Sequence, residues 1–432
     1  MTIKKFYPKN EQFVHFLWLT QSFNKCDLRT SRGEVINIFY QGYENHNAGP
    51  DFSQANITIG EINWNGSVEI HTKASDWHQH KHHFDRAYDN VILHVVWIND
   101  KTVKRMDQSE IPTLELKNRV PLKIIINYTS LLSNKNQISC MSSFKDVDPI
   151  ILLNLLDRMT ILRTQGKVTQ IHEHLSNTKN DWEEVTFRLL CRNLGFNINA
   201  FTFSLLATSI PFQLLRKYKK NIIQLEALLF GMAGLLHRDS TEPYYHLLLQ
   251  EFTFLSHKHH LTPTISYHQW KFHRLRPANF PTIRIAQLAS ILHDTDNLFS
   301  VILKGKDYNS LIACLSVEVS DFWMSHFRFE KTSGYNKKAI GKSSIENICI
   351  NTVVPVMYAY GKYIDDNSYC ENALDLLQNI PAEQNKVTRK WNELGIPCKS
   401  AFDSQALLHL YNNFCKRKQC LLCDLGKNIL KK

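Results

Sequence analysis

The chain has 432 residues, of which 43% are hydrophobic and 21% are charged, a composition typical of folded globular proteins. This composition excludes disordered, collagen-like and low-complexity proteins, and the length fits roughly two to three domains. The 51 Lys and Arg residues exceed the 40 Asp and Glu residues, which gives a formal net charge of +11 and favours an anionic partner, with nucleic acid first. Because no apolar segment has the length of a membrane span and no signal core follows the first lysines, we expect a cytoplasmic protein with no membrane partner.

The N-terminal part of the chain combines helix and strand patterns. The predicted elements are a helix at 11–22, strands at 35–41, 56–62 and 67–73, a segment with helical potential at 77–89, a strand at 91–98 and a further candidate strand at 122–128. The segment 91–98 (VILHVVWI) is continuously apolar and rich in β-branched residues, which is typical of a buried central strand.

From Asp148 onward, helical periodicity dominates. Helices are predicted at 150–162, 182–193 and 225–236, and Asp181 or Asn180 is the N-cap of the second helix. The fold class is therefore mixed, α+β or α/β. We predict a domain of helices and strands over 1–132, a polar linker over 133–146 and a mainly α-helical domain over 147–432.

The residue pattern that carries most chemistry lies between residues 47 and 73. Glu69, His71 and Lys73 alternate along a predicted strand, so their side chains share one face. Asp51 follows a Gly-Pro turn and lies beside Glu69 if the two strands pair as an antiparallel hairpin. Two converging carboxylates bind a hard divalent cation such as Mg²⁺, with Mn²⁺ as the alternative. Such an ion promotes phosphodiester hydrolysis, with His71 or Lys73 as the nearby base or cation.

The order helix, three strands, helix, strand, with Gly-Pro-Asp51 before the second strand and Glu69-Ile-His71 in the third, resembles the PD-(D/E)XK nucleases. The resemblance implies a restriction-endonuclease-like αβββαβ core in which Asp51 and Glu69 bind the metal and Glu11 is the assisting acid of the first helix. The third motif position departs from that family, because His71 occupies the place of the lysine. Lys73 on the same strand face can replace the lysine, or His71 can act as general base or as a third ligand.

The chain as a whole also resembles an uncharacterised bacterial family, the domain of unknown function 2851. The resemblance extends nearly end to end, and the family supplies no established activity. The strings that carry it are Asn47-Ala-Gly-Pro-Asp51-Phe, Gly66-Ser-Val-Glu69-Ile-His71, Ser75-Asp76-Trp77, Tyr88-Asp-Asn-Val-Ile-Leu-His94-Val-Val, Arg276-Pro-Ala-Asn-Phe-Pro281 and Cys420-Leu-Leu-Cys423.

Four histidines follow the third predicted strand, at His78, His80, His82 and His83. His78 and His82 are four residues apart, which permits a metal site, but the glutamate of the zinc metalloprotease motif is missing. We prefer a polar rim that faces the nucleic acid, in which His80 and His82 contact phosphate or support the metal. His94 lies in an apolar strand, where the ordinary interpretation is a core histidine.

Four of the ten cysteines lie near the C-terminus. The spacing of Cys415, Cys420 and Cys423 lets three thiolates converge on one metal, and Cys398 is the nearest candidate for a fourth ligand. Sulfur ligands of this kind hold Zn²⁺ or an iron–sulfur cluster. The alternative is a group of buried free thiols in a helical C-terminus.

Two basic segments are candidates for phosphate binding, and solvated surface charge is the alternative for both. They are Arg274, Arg276 and Arg284 around a proline-containing turn, and Lys416, Arg417 and Lys418 between the C-terminal cysteines.

The sequence supports two main hypotheses of function. The first is a metal-dependent nuclease that hydrolyses phosphodiester bonds of DNA or RNA with its N-terminal domain and grips the polymer with its helical domain. The second is a catalytically inactive nucleic-acid-binding or protein-assembly module on the same fold. A protein-interaction scaffold that does not meet nucleic acid is a third possibility.

Overall fold

A computed structural model of the chain describes residues 6–8, 10–45, 47–134, 136–141, 147–236, 240–305 and 308–431. The chain divides into two compact units. The first unit is Met1–Leu155 together with His409–Lys432, and the second unit is Leu156–Leu408. The C-terminal segment from His409 onward therefore packs with the N-terminal unit, whereas the sequence placed it in the helical domain.

One mixed β-sheet forms the centre of the first unit. Its strands are β1 (Ile36–Tyr40), β2 (Tyr43–Glu44), β3 (Phe52–Ile59), β4 (Ile62–Lys73), β5 (Val91–Ile98) and β6 (Thr113–Glu115). Their order in the sheet is β1, β3, β4, β5, β6, and β2 pairs with the beginning of β3. The pairs β4/β5 and β5/β6 are parallel, and the other pairs are antiparallel. β5 has strand neighbours on both sides and is buried except at Ile98, as predicted for a central strand.

In the described residues of the first unit, the α-helices that lie wholly within it are α1 (Gln12–Thr20), α2 (Asp76–Gln79), α3 (Leu122–Ser133) and α19 (Asp424–Lys431). The first helix buries Phe13, Phe16 and Leu17, the apolar face that its sequence predicted. It contacts β4 and β5. The C-terminal helix α19 packs against α3, and the Asn127 amide donates to the Ile429 carbonyl oxygen over 3.2 Å. These contacts explain why the C-terminal segment belongs to the first unit.

Two segments of the first unit differ from the predictions. The candidate strand at 122–128 is the helix α3, because Ile124, Ile125, Tyr128 and Leu131 recur at helical spacing and are buried together. The segment 77–89, with predicted helical potential, is the short helix α2 followed by two 3₁₀ turns at His82–Phe84 and Arg86–Tyr88. The left-handed backbone of Lys81, with φ of 63°, separates α2 from the first of these turns.

The second unit is mainly helical, as the sequence predicted. The division between the units falls within α4 (Pro149–Asn177) at one end and within α18 (Ala401–Leu410) at the other. Between them lie α5 (Trp182–Leu194), α6 (Phe196–Ser209), α7 (Phe212–Tyr218), α8 (Ile222–Met232), α9 (Pro243–His259), α10 (Pro281–Asp294), α11 (Leu298–Lys304), α12 (Tyr308–Leu315), α13 (Asp321–Met324), α14 (Lys342–Ile348), α15 (Val354–Tyr363), α16 (Asn367–Asn379), α17 (Lys386–Glu393) and the hairpin β7 (His326–Arg328) and β8 (Lys331–Thr332). Asp181 caps α5 by accepting the Glu184 N–H over 3.0 Å, which decides between the two predicted caps.

Across the part of the chain that the structure describes, no single helix is both long enough and apolar enough to span a membrane. Helices α6 and α7 meet that requirement only when they are taken together, and their axes are bent by 79° at the break between them.

Candidate metal centre

Asp51 and Glu69 come together because β3 and β4 pair as an antiparallel hairpin, with Phe52 opposite Val68. The Asp51 backbone N–H donates to Glu69 Oε2 over 3.0 Å. In return, the backbone N–H of Ile70 donates to Asp51 Oδ2 over 2.9 Å. The two carboxylates are therefore fixed by backbone geometry, as the predicted hairpin requires.

Two histidines lie beside Glu69, and a third lies beside one of them. His71 shares the face of β4 with Glu69, and its Nε2 lies 3.7 Å from Glu69 Oε1. His82 Nε2 lies 3.3 Å from the same oxygen, and His80 Nδ1 lies 3.0 Å from His71 Nε2. His80 and His82 reach this point because the turn at Lys81 folds the segment after α2 back toward β4. We call Asp51, Glu69, His71, His80 and His82 the carboxylate–histidine cluster.

The spacing of these atoms suits a single metal ion. An ion that binds nitrogen at about 2.0–2.1 Å in a tetrahedron places its ligand atoms about 3.3 Å apart. Three of the atom pairs lie near this distance: His71 Nε2 and His80 Nδ1 at 3.0 Å, His82 Nε2 and Glu69 Oε1 at 3.3 Å, and His71 Nε2 and Glu69 Oε1 at 3.7 Å. The ligand atoms of His71, His80 and His82 also lie within 4.8 Å of one another. His71 is buried, His82 is half-buried and His80 is exposed, so the cluster opens to solvent on the His80 side.

A second layer of side chains orients the ligands. His71 Nδ1 is 2.8 Å from Nε2 of the buried His94, which is paired with Glu69 in the register of β4 and β5. If His71 Nε2 faces a metal, its Nδ1–H donates to His94, which is how outer partners commonly fix a metal-binding histidine. The ring of Tyr88 stacks on His82 with 3.8 Å between ring centroids. His15 Nε2 lies 3.3 Å from Asp51 Oδ2 and holds that carboxylate from the side of α1.

The electrostatics favour a cation. Burial, with the negative charge of Asp51 second, raises the pKa of Glu69 to about 8. Burial lowers the pKa of His82, and burial followed by the charge of His94 lowers that of His71, so both imidazoles are neutral near pH 7. Among the described residues, the buried His82 Nε2 has no hydrogen-bond partner. The Glu69 carboxyl group and two neutral imidazoles thus lie side by side, and a divalent cation would satisfy all three groups.

Glu11 and Lys73, the other predicted catalytic residues, lie outside the carboxylate–histidine cluster. Glu11 is the N-cap residue of α1, and its pKa is raised by burial, against the opposing charge of His80 and with a contribution from Asp51. Lys73 is exposed at the end of β4, where its ammonium lies 6.0 Å from the ring centroid of Tyr7. Of the two candidates for the position of the family lysine, it is therefore His71 that lies among the carboxylates.

Residues 11–386 match the sequence profile of a family described as "Protein of unknown function (DUF2851)". The chain belongs to this family. The matched range begins at Glu11 and contains the whole carboxylate–histidine cluster, whereas Cys415, Cys420 and Cys423 lie beyond it. No curated protein and no solved structure matches this DUF2851 protein.

The predicted phosphate-binding arginines of the DUF2851 chain lie in the second unit. Arg274 and Arg276 are exposed. Arg284 is only 3% exposed, and its guanidinium donates to Gln287 Oε1, Asn279 Oδ1 and Ser344 Oγ. Arg284 is therefore a buried, hydrogen-bonded residue of α10, and it does not lie on an exposed phosphate-binding surface.

The basic residues between the C-terminal cysteines lie in the first unit. Lys416 and Arg417 are exposed. The Lys418 ammonium instead donates to the carbonyl oxygens of Asn134 and Asn136 and to Ser139 Oγ. It therefore connects two segments of the chain.

The four predicted thiol ligands are divided between the units. Cys415, Cys420 and Cys423 belong to the first unit, and Cys398 belongs to the second. The Cys398 backbone N–H donates to Asn392 Oδ1 over 2.9 Å. Burial, followed by the charges of Asp403 and Glu383, raises the pKa of the Cys398 thiol to about 12.

Sequence reasoning missed two members of the second layer. His15 had a signal, since it is four residues after Glu11 and shares its helix face. His94 is buried, as expected of a core histidine, but it also bonds His71. Its alignment with Glu69 across a parallel strand pair is a tertiary property, and no local pattern indicates it.

Proposed function

We propose that this DUF2851 protein is a metal-dependent hydrolase that cleaves phosphodiester bonds of DNA or RNA. The observation that carries the proposal is the group of His71, His80 and His82, whose ligand atoms lie within 4.8 Å of one another, with Glu69 Oε1 at 3.3 Å from His82 Nε2 and 3.7 Å from His71 Nε2. A divalent cation is a partner that would satisfy these neutral or anionic donors together.

The topology supports the substrate class. Helix α1, the antiparallel pairs β1/β3 and β3/β4, and the parallel strand β5 follow the order of the PD-(D/E)XK core. On that resemblance, Asp51, just before β3, and Glu69, in β4, correspond to the two metal-binding acids of the core. The net charge of +11 favours a polyanionic substrate. Lys81 and Arg86 are exposed next to His80 and His82 and provide cations for a phosphate backbone.

The chemical type of the ligand atoms indicates which metal ion the site would bind. Glu69, His71, His80 and His82 would hold the ion, with Asp51 beside them. Nitrogen ligands favour Mn²⁺ or Zn²⁺ over the Mg²⁺ that two carboxylates alone predicted, because Mg²⁺ prefers oxygen ligands. When bound, a divalent cation would activate water and neutralise charge that develops on the phosphate.

The protein's own residues have distinct roles in this proposal. Both ring nitrogens of His71 have partners, which favours a ligand over a general base. Glu11 is the carboxyl group outside the ligand set, and its raised pKa suits it to accept a proton from the attacking water. His15 keeps Asp51 in place, and Lys81 and Arg86 orient the phosphates.

The test is a cleavage assay on the full-length protein with labelled single- and double-stranded DNA and RNA. Each substrate is incubated with MnCl₂, ZnCl₂, MgCl₂ or EDTA. We expect cleavage that depends on the metal and that is lost in Asp51→Ala and in Glu69→Gln. Asp89→Ala and Glu61→Gln change exposed acids of the same unit and are the matched controls. Full cleavage by Glu69→Gln would contradict the proposal.

A second candidate function rests on the number of ligands. If Glu69 and all three histidines bind the ion, the shell is closed, as in structural sites, and no position is left for water. The protein would then be a nucleic-acid-binding module with a structural metal. We expect this module to bind DNA or RNA with an affinity that falls steeply with salt, to retain its metal and to cleave nothing. The two candidates differ at His80. The hydrolase requires a water molecule to replace the exposed His80 as a metal ligand, whereas the structural site keeps His80 bound.

A further inference from the structure

A second group of metal-ligating side chains lies in the first unit, between α3 and α19. We propose that Cys140, Cys415, Cys420 and Cys423 together bind a thiolate-ligated metal centre, which is a zinc ion or an iron–sulfur cluster. The inference does not depend on the proposed hydrolase. It places Cys140 in the position of fourth ligand, for which sequence spacing indicated Cys398.

The backbone of the C-terminal cysteines forms a compact turn. Cys420–Leu422 is a 3₁₀ turn, and the Cys423 N–H donates to the Cys420 carbonyl oxygen over 3.3 Å. Helix α19 then approaches this turn at Gly426, where a Cβ would lie 1.9 Å from that same oxygen. The backbone N–H groups of Leu425 and Gly426 donate to the Cys423 sulfur. Such hydrogen bonds stabilise a thiolate, which is the form that binds metal.

Cys140 reaches the same place through the segment before it. The Lys418 ammonium donates to Asn134 O, Asn136 O and Ser139 Oγ over 2.6–2.8 Å. The Tyr411 hydroxyl donates to Gln137 Oε1 over 2.7 Å. These bonds hold Asn134 and residues 136–140 against the loop between Cys415 and Cys420. Ser139 also makes a hydrogen bond with Cys420, directly beside Cys140 in the chain.

The environment of the four sulfurs is unfavourable for free thiolates and favourable for a bound metal. Cys140, Cys415 and Cys423 are buried, with 7–9% of each residue exposed. Burial, followed by the charges of Cys423 and Cys420, raises the pKa of the Cys140 thiol to about 12. Burial also raises the pKa of Cys415, and Cys140, Cys423 and Cys420 contribute in that order. Three buried sulfurs and the half-buried Cys420, with Lys418 as the adjacent cation, form a ligand set whose charge a bound metal would neutralise.

The position of the centre indicates what it does. It joins the segment after α3 to the C-terminal segment, which are separated in sequence by the whole second unit. The Cys420–Leu422 turn also contacts α1, the helix that carries His15 and follows Glu11. Metal binding therefore fixes the ends of the first unit and supports α1 beside the carboxylate–histidine cluster.

The decisive experiment needs no cysteine variant. Full-length His82→Ala protein, in which the other centre is disabled, is purified without chelator or added metal. Zinc, iron and acid-labile sulfide are quantified, and X-ray absorption at the edge of the metal found gives its ligands. We expect about one zinc per chain with four sulfur ligands near 2.3 Å, or iron with sulfide in cluster ratio. Protein with neither metal, or a metal with mainly nitrogen and oxygen ligands, would overturn the proposal.

Serine variants then identify the ligands. We expect Cys140→Ser and Cys423→Ser to lose the metal, with Cys398→Ser and the exposed Cys26→Ser as controls that keep it. Loss of metal in Cys398→Ser with retention in Cys140→Ser would reject Cys140 as a ligand. Because the absorption spectrum counts sulfur ligands on a protein with all its cysteines, a serine variant that fails to fold does not obscure the result.

Discussion

Asp51 and Glu69 restrain each other through the backbone, since the Asp51 N–H donates to Glu69 Oε2 and the N–H after Glu69 donates to Asp51 Oδ2. Each carboxylate thus uses one oxygen for structure. The other oxygen of Glu69, Oε1, lies toward His71 and His82. These backbone hydrogen bonds fix the Glu69 side chain before a metal binds. The entropy cost of ordering this ligand on metal binding is therefore lower.

The first prediction concerns His82, whose buried Nε2 has no hydrogen-bond partner in the part of the chain that the structure describes. His82→Ala removes a direct ligand, so the affinity for Mn²⁺ or Zn²⁺ should fall by more than the roughly 10–100-fold that loss of an outer-shell partner costs. Isothermal titration calorimetry measures this change. His83→Ala is the control, because His83 packs on His78 and Phe84 instead. Equal affinities of the two variants would contradict the ligand role of His82.

The second prediction concerns His94, which contacts His71 and not the metal position. His94→Phe removes the 2.8 Å contact with His71 Nδ1 while it fills the buried space with another ring. We expect metal affinity to fall by roughly 10–100-fold, with the stoichiometry unchanged. Thermal unfolding of the metal-free variant checks that the sheet is intact. Wild-type affinity in a folded variant would show that His94 does not orient His71.

The third prediction follows from the raised pKa of Glu69, about 8. At pH 7 this carboxyl is largely protonated in the metal-free protein, and the metal must displace the proton. Binding at pH 7 should therefore release about one proton per ion. Titrations in buffers of different ionisation enthalpy measure this number, which should fall toward zero above pH 9 and should be near zero in Glu69→Gln. No release by the wild type at pH 7 would show that Glu69 is already ionised.

The fourth prediction is the pH dependence of the metal-free protein. Because the pKa of Glu69 is about 8 in the folded state against 4.5 as its ordinary value, the folded state binds more protons between these limits. Stability should therefore fall as pH rises through this range, by at most about 1.4 kcal/mol per pH unit for one proton. His71 and His94, with lowered pKa values, act in the opposite direction, but their effect ends near the ordinary histidine pKa of 6.5.

The window from pH 6.5 to pH 8 avoids the contributions of His71 and His94, and the comparison with Glu69→Gln separates Glu69 from Glu226 and Lys167, whose pKa values are both about 7. His15 adds to the contribution of Glu69, because hydrogen bonding and the charge of Asp51 outweigh burial and raise the pKa of His15. We expect the free energy of unfolding, measured in urea, to decrease across this window in the wild type and to decrease less in Glu69→Gln. Parallel pH profiles for the two proteins would contradict the assignment.

The local patterns of the sequence predicted much of the fold. The run at 91–98 has no polar alternation, and a strand buried on both faces is the structure that accommodates it. The segment at 122–128 misled the prediction because its isoleucines favour strands locally. Their helical spacing and the packing of α3 against α19 outweigh that preference.

The site was predictable only as far as local geometry determines it. Strand alternation placed Glu69 and His71 on one face, and a hairpin brought Asp51 beside them. The positions of His80 and His82 depend on the left-handed residue Lys81, which sequence patterns rarely reveal at a non-glycine residue. More than 270 residues separate Cys140 from Cys415 in the sequence. Because a contact over that distance depends on tertiary folding, no local sequence pattern indicates that Cys140 lies near the C-terminal cysteines.

The last prediction concerns Gly426, at the close approach of α19 to the cysteine turn. A Cβ there would lie 1.9 Å from the Cys420 carbonyl oxygen, which is backbone and cannot rotate away, so Gly426→Ala must displace α19 or the turn. We expect a loss of about 1–3 kcal/mol in the free energy of unfolding, together with weaker metal retention at the four cysteines. Gly166→Ala is the control, because a Cβ at Gly166, within α4, meets no atom within 4 Å. That helical substitution should stabilise the protein by about 0.5–1 kcal/mol and leave the metal content unchanged. Denaturant unfolding and metal analysis of both variants decide the matter, and a Gly426→Ala protein with wild-type stability would show that α19 does not press on the turn.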